Sequence, residues 1–144
     1  MPRWRGITKR NMEMKAIDLM VGDLVLLFGE TPARVDAIGD IEVYVYEEKL
    51  GEDWNVGYEH IKPVPLTAEI LEENGFVKCI GGRSKKSLQL IGDGLYVSWW
   101  NDRIVIRYKR VLGHPSAYLN CDCRYVHELQ HALRLCGIDK EIEL

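Results

Sequence analysis

The sequence predicts an α+β protein: a small SH3-like β-barrel over residues 19–65, then an antiparallel sheet with two helices over residues 66–144. Three observations predict it. Short apolar or alternating runs, separated by turn residues, fill the stretch from Asp23 to Val64. Beyond the joint Pro63-Val64-Pro65 the order becomes helix, strands, helix. The charge balance changes at the same joint: residues 1–65 hold 8 basic and 12 acidic side chains, a net of −4, and residues 66–144 hold 11 and 10, a net of +1. With 47% apolar and 28% charged residues in 144, a disordered or collagen-like chain is excluded. The overall charge of −3 supplies no field drawing the chain to DNA or an anionic membrane.

In chain order, residues 1–18 are expected as an N-terminal tail, with Met12 and Met14 as alternative starts. Val21-Gly22-Asp23-Leu24-Val25 suits the entry to a small barrel, because glycine permits a tight turn there. The apolar run Asp23 to Phe28 reads as a strand ending at Gly29. Ala33 to Ile38 and Ile41 to Tyr46 alternate as half-buried strands do, about a Gly39-Asp40 turn. Glu47 to Gly57 is polar and reads as a loop holding a lone Trp54, and Tyr58 to Val64 reads as the last strand, with Pro63 at its edge.

The second part opens with a helix that Thr67 caps, Ile70 and Leu71 anchor, and Asn74-Gly75 ends in left-handed conformers. Phe76 to Ile80 and Ser87 to Ile91 read as strands closed by glycine turns. Leu95 to Trp100 and Arg103 to Val111 form the clearest hairpin, about Asn101-Asp102. After Gly113-His114-Pro115-Ser116 come a strand near Tyr118 to Cys123, a helix from Arg124 to Cys136 capped by Gly137, and an edge strand over Lys140 to Leu144.

The basic start runs into Asn11-Met12-Glu13-Met14-Lys15, where a signal peptide has its apolar core. The stretch Leu19 to Phe28 is interrupted by Gly22 and Asp23 and is too short to span a bilayer. A cytoplasmic protein without a membrane role is expected, with Cys79, Cys121, Cys123 and Cys136 as thiols or metal ligands and not disulfides.

Two segments carry a resemblance. Tyr125-Val126-His127-Glu128-Leu129-Gln130, with Leu133 and Gly137 behind it, and the joint Ile61-Lys62-Pro63-Val64-Pro65-Leu66-Thr67, followed by Gly75-Phe76, are similar to a family of small uncharacterised proteins from Bacteroides-type gut bacteria and their phages and mobile elements. The resemblance spans most of residues 19–144 and rests on framework positions. It implies a phage or mobile-element setting, where small proteins that bind host defence components are common. Glu128 and His131 do not generally occur as a pair in those relatives.

The hairpin supplies the candidate binding residues. A two-residue loop pairs Trp100 with Arg103, Trp99 with Ile104, Ser98 with Val105, Val97 with Ile106 and Tyr96 with Arg107. One face then holds Leu95, Val97, Trp99, Ile104, Ile106 and Tyr108 and is expected as core. The other presents Tyr96, Trp100, Arg103 and Arg107, where aromatics stack on bases and guanidinium groups meet phosphate. Lys85, Lys86, Lys109 and Arg110 would extend the positive surface, but Gly81 to Ser87 lacks the spacing of a phosphate-binding P-loop and reads as a turn. The expected function is a non-enzymatic binding module without a cofactor, taking a host protein, a nucleic acid or a nucleotide ligand.

The rival reading is a zinc-binding protein or small zinc hydrolase. His127-Glu128-Leu129-Gln130-His131 has the spacing in which two histidines one helical turn apart share Zn²⁺ and the glutamate activates water. Cys121, Cys123, His127 and His131 could instead form a structural tetrahedral site. A helical wheel places Tyr125, Val126, Leu129, Ala132, Leu133 and Cys136 on one apolar arc and His127, His131 and Arg134 opposite it, so the histidines are expected on a solvated face. Arg134 also stands where the longer metalloprotease pattern has glycine.

Overall fold

Among the described residues, two antiparallel five-stranded sheets and two α-helices make up an α+β architecture. The structure is a computed structural model that describes residues 14–79, 87–90, 94–100, 103–109 and 118–144, with backbone alone at 100, 109 and 118–121. It divides into two compact units: the chain up to Pro65 together with Tyr125–His127, and Leu66–Arg124 together with Glu128–Leu144.

In the first unit the strands are β1 (Leu24–Leu27), β2 (Thr31–Ile38), β3 (Glu42–Glu47), β4 (Glu52–Gly57) and β5 (Ile61–Pro63), ordered β4-β3-β2-β1-β5. Every residue of β1 is buried, as its unbroken apolar run requires, whereas β3 alternates between exposed and buried positions. A register shift between Val35 and Ala37 interrupts the β2–β3 ladder, the irregularity by which a long strand bends. The sheet encloses a core of Val25, Leu27, Val35, Val43, Val45 and Ile61. Met14 also belongs to this core, although the sequence reading left residues 1–18 outside the barrel.

The segment expected as a polar loop contains β4. Only Val56 of that strand is buried, so apolar periodicity had nothing to detect. The expected last strand is a 3₁₀ turn, Tyr58–His60, followed by the three residues of β5. Among the described residues no ladder joins β4 to β5, so the backbone pairing leaves the sheet open and shows no closed barrel.

In the second unit α1 (Ala68–Glu73) precedes β6 (Phe76–Lys78), β7 (Ser87–Leu90), β8 (Leu95–Trp100), β9 (Arg103–Lys109) and β10 (Tyr118–Asp122), which pair in sequence order; α2 (Val126–Leu135) follows. The Thr67 hydroxyl accepts the Ile70 amide at 3.3 Å, the expected cap. Gly75 is left-handed at φ 90°, but Asn74 is not, at φ −103°. Asn74 has another task. Its side-chain amide donates to the Ile70 carbonyl at 2.7 Å and to the Glu143 carbonyl at 2.8 Å, and its oxygen accepts the Glu143 amide at 2.7 Å. One side chain thus pairs both backbone groups of Glu143, and the edge strand expected over Lys140 to Leu144 is an irregular segment with Ile142 fully buried.

The β8–β9 register matches the expected cross-strand pairs residue for residue; the Asn101-Asp102 turn lies outside the described residues. Of the side chains expected to be buried together, Ile106, Leu129 and Leu133 are fully buried, while Trp99, Ile104 and Cys136 are only half-buried. Among the described residues no helix is long and apolar enough to cross a membrane.

Candidate functional site

The open face of the second sheet is set by its register. Leu88, Leu90, Leu95, Val97 and Ile106 alternate onto the buried face. Opposite them runs a row of directly paired residues from Val77 through Gln89 and Tyr96 to Arg107, one per strand from β6 to β9. Tyr96 and Arg107 are both exposed and stand directly across from each other, close enough for side chains to meet. In the neighbouring row, Ser87–Ser98–Val105, Ser98 is buried, and its hydroxyl lies 2.7 Å from that of Ser87.

The structure separates the four candidate binding residues. Tyr96 and Arg107 form the pair just described. Arg103 engages a carboxylate, its Nη2 and Nε donating to one oxygen of Asp122 at 2.7 and 3.2 Å. Both partners are well exposed, so the pair contributes about 1 kcal/mol or less to stability, but it offsets the charge that Arg103 would offer a phosphate. Trp100 pairs with Arg103 through the backbone, and its side chain lies outside the described residues, as do Lys85, Lys86 and Arg110 and the Lys109 side chain. No local pattern marks Asp122 as the partner of Arg103, because the two are brought together only by the β9–β10 register.

The metal candidates lie elsewhere. Cys123 is fully buried, and the register sets Cys121 opposite the buried Ile106. His127 is buried, contrary to the wheel, and its ring stacks on Tyr125 with centroids 5.8 Å apart and planes 11° from parallel. The wheel failed because it treats a helix as having one covered side. Here the helix start is also paired through its backbone, which a wheel omits: Pro65 bridges to Tyr125, and the Val126 amide donates to the Val64 carbonyl at 2.8 Å. His131 is half-buried. Glu128 accepts the Arg124 amide at 2.9 Å, serving as a cap of the helix start. Among the described residues no group of three or more His, Cys, Asp or Glu side chains is gathered as a metal ion requires.

A second cluster, in the first unit, was not singled out from the sequence. Phe28, in the turn after β1, meets Trp54 of β4 edge-to-face at 5.6 Å and His60 at 5.5 Å. Its amide donates to the His60 carbonyl at 2.7 Å. Phe28 and Gly29 both have positive φ, 54° and 73°, and the Glu30 amide closes the turn onto the Leu27 carbonyl at 3.2 Å. A bulky residue in this conformation costs about 1–2 kcal/mol relative to glycine. The sequence signal was Phe28-Gly29 standing where a hairpin turn ordinarily has Asn-Gly. Elsewhere in the first unit, the Tyr58 hydroxyl donates to the Gly39 carbonyl. Partial burial, and then the Asp40 carboxylate, raise its phenol above the usual 10.0.

No family model, curated protein or solved structure matches the chain.

Proposed function

We propose that the chain is a non-enzymatic binding module that takes a base bearing a phosphate, in a single strand or as a free nucleotide, on the open face of its second sheet. The observation that carries this reading is Tyr96 standing directly opposite Arg107, both exposed. A phenol ring offers a flat stacking surface and a guanidinium offers two parallel donors to a phosphate. Trp100 would extend the stacking row toward Arg103, whose charge is tuned by Asp122. Stacking and ion pairing need no metal, and we read the module as acting without one.

In the same reading the first unit is an SH3-like barrel. Its support is the meander β1–β4, a 3₁₀ turn, and the return of β5 to β1. With the resemblance of Tyr125 to Gln130 and of the Ile61 to Thr67 joint, this gives a phage or mobile-element protein that sequesters a host signal or defence component.

The test is fluorescence anisotropy with a labelled single-stranded 12-mer and competing nucleotides, beside a pull-down from host lysate. Tyr96→Ala with Arg107→Ala should weaken binding roughly tenfold or more, as losing one stacked base and one phosphate contact implies. Undiminished binding by the double variant, or capture of a protein partner that it still retains, would remove the assignment.

A further inference from the structure

The first unit carries a surface of opposite character. Residues 14–65 hold four basic and eleven acidic side chains, a net of −7. Within it the rings of Phe28, Trp54 and His60 meet, with Phe28 51% and Trp54 37% exposed. Exposed acidic residues accompany the rings along the chain: Glu30 follows in the Phe28 turn, Glu52 stands two positions before Trp54 and so on the same face of β4, and Glu59 precedes His60. The Glu59 carboxylate lies 3.5 Å from His60 Nε2. Phe28 holds a left-handed conformation that glycine or asparagine would adopt without strain, so turn geometry does not account for an aromatic side chain there.

Aromatic faces beside carboxylates attract cations, the ring through its quadrupole and the carboxylate through its charge. A phosphate-bearing ligand would be repelled by the same groups. We infer that this surface docks a basic segment of a partner protein, with an arginine or lysine side chain held against Phe28 and Trp54 and further positive charge met by Glu30, Glu52 and Glu59. The inference does not depend on the ligand of the second sheet.

The test uses the full chain and a labelled eight-residue peptide of alternating arginine and glycine, with a glutamate–glycine counterpart as control. The basic peptide should bind, and the acidic one should not. Phe28→Gly and Trp54→Ala leave the net charge unchanged, and each should weaken the basic peptide fivefold or more. Phe28→Gly should also melt at or above the wild-type temperature, because it relieves strain, and Tyr96→Ala should leave the affinity unchanged. Equal affinity of wild type and Phe28→Gly would reduce the attraction to diffuse charge and overturn the site. So would a Phe28→Gly protein that loses stability along with affinity, since the ring would then be a structural plug. Wild-type self-association abolished by Phe28→Gly would assign the surface to a second copy and overturn it equally.

Discussion

Replacing Asn74 by alanine tests how the second unit holds its C-terminal segment. The substitution removes three hydrogen bonds, two donated by the side-chain amide and one accepted by its oxygen. At roughly 0.5–1.5 kcal/mol net per bond the upper limit is about 4.5 kcal/mol. Glu143 is exposed, so water can re-pair part of what it loses, and a loss of about 1.5–3 kcal/mol is expected. Asn74 has φ −103°, a conformation alanine adopts freely, so backbone strain does not enter the result. Asn74→Asp is the sharper variant. It keeps an acceptor for the Glu143 amide but turns a carboxylate toward the Ile70 and Glu143 carbonyls, and should destabilise at least as much as alanine. Urea unfolding followed by circular dichroism measures the loss, and hydrogen exchange over residues 138–144 shows where it falls. A change under about 0.5 kcal/mol with unaltered exchange would refute the reasoning.

Further predictions concern other sites. Glu47 is buried at the end of β3, directly across from Glu52; one of its carboxylate oxygens accepts the Leu50 amide, and the other has no hydrogen-bond partner among the described residues. Glu47→Gln should therefore be neutral or stabilising by up to about 1 kcal/mol, and Glu47→Ala should cost about 1–2 kcal/mol, both by thermal unfolding. His127→Ala should cost about 1–3 kcal/mol in urea unfolding, well above the ±0.5 kcal/mol of a surface site, because it empties a buried, ring-stacked position. Asp122→Asn should strengthen binding of an anionic ligand by about 1.5–5-fold in anisotropy, as it releases Arg103 from its carboxylate. Tyr58 keeps its proton in the folded chain at pH values where the unfolded chain has lost it. Its stabilising contribution is complete below pH 10.0 and declines as pH rises above it, so Tyr58→Phe should flatten the alkaline fall in melting temperature.

The sequence disclosed what local periodicity controls. Val43 and Val45 alternate with exposed neighbours as read, Thr67 caps α1, and the hairpin register follows from a two-residue loop. What it concealed depends on partners distant in the chain. Trp54 lies in a strand with one buried residue, which no apolar pattern marks, and its packing partner Phe28 is 26 positions earlier. His127 is buried with its ring stacked on Tyr125, at a helix start whose backbone pairs with Val64 and Pro65, which a wheel drawn on that helix alone omits. Asn74 in place of an edge-strand ladder is a pairing between a side chain and a backbone 69 residues away. Arg103 was legible as a surface cation, but its carboxylate partner became visible only through the β9–β10 register.

The most direct measurement of the central claim is amide hydrogen exchange on the chain with and without saturating single-stranded 12-mer. Binding on the open face of the second sheet predicts that Tyr96 and Arg107, with their neighbours in β8 and β9, gain protection while β1 to β4 remain unchanged. Protection confined to the first unit, with β8 and β9 exchanging as in the free chain, would contradict it.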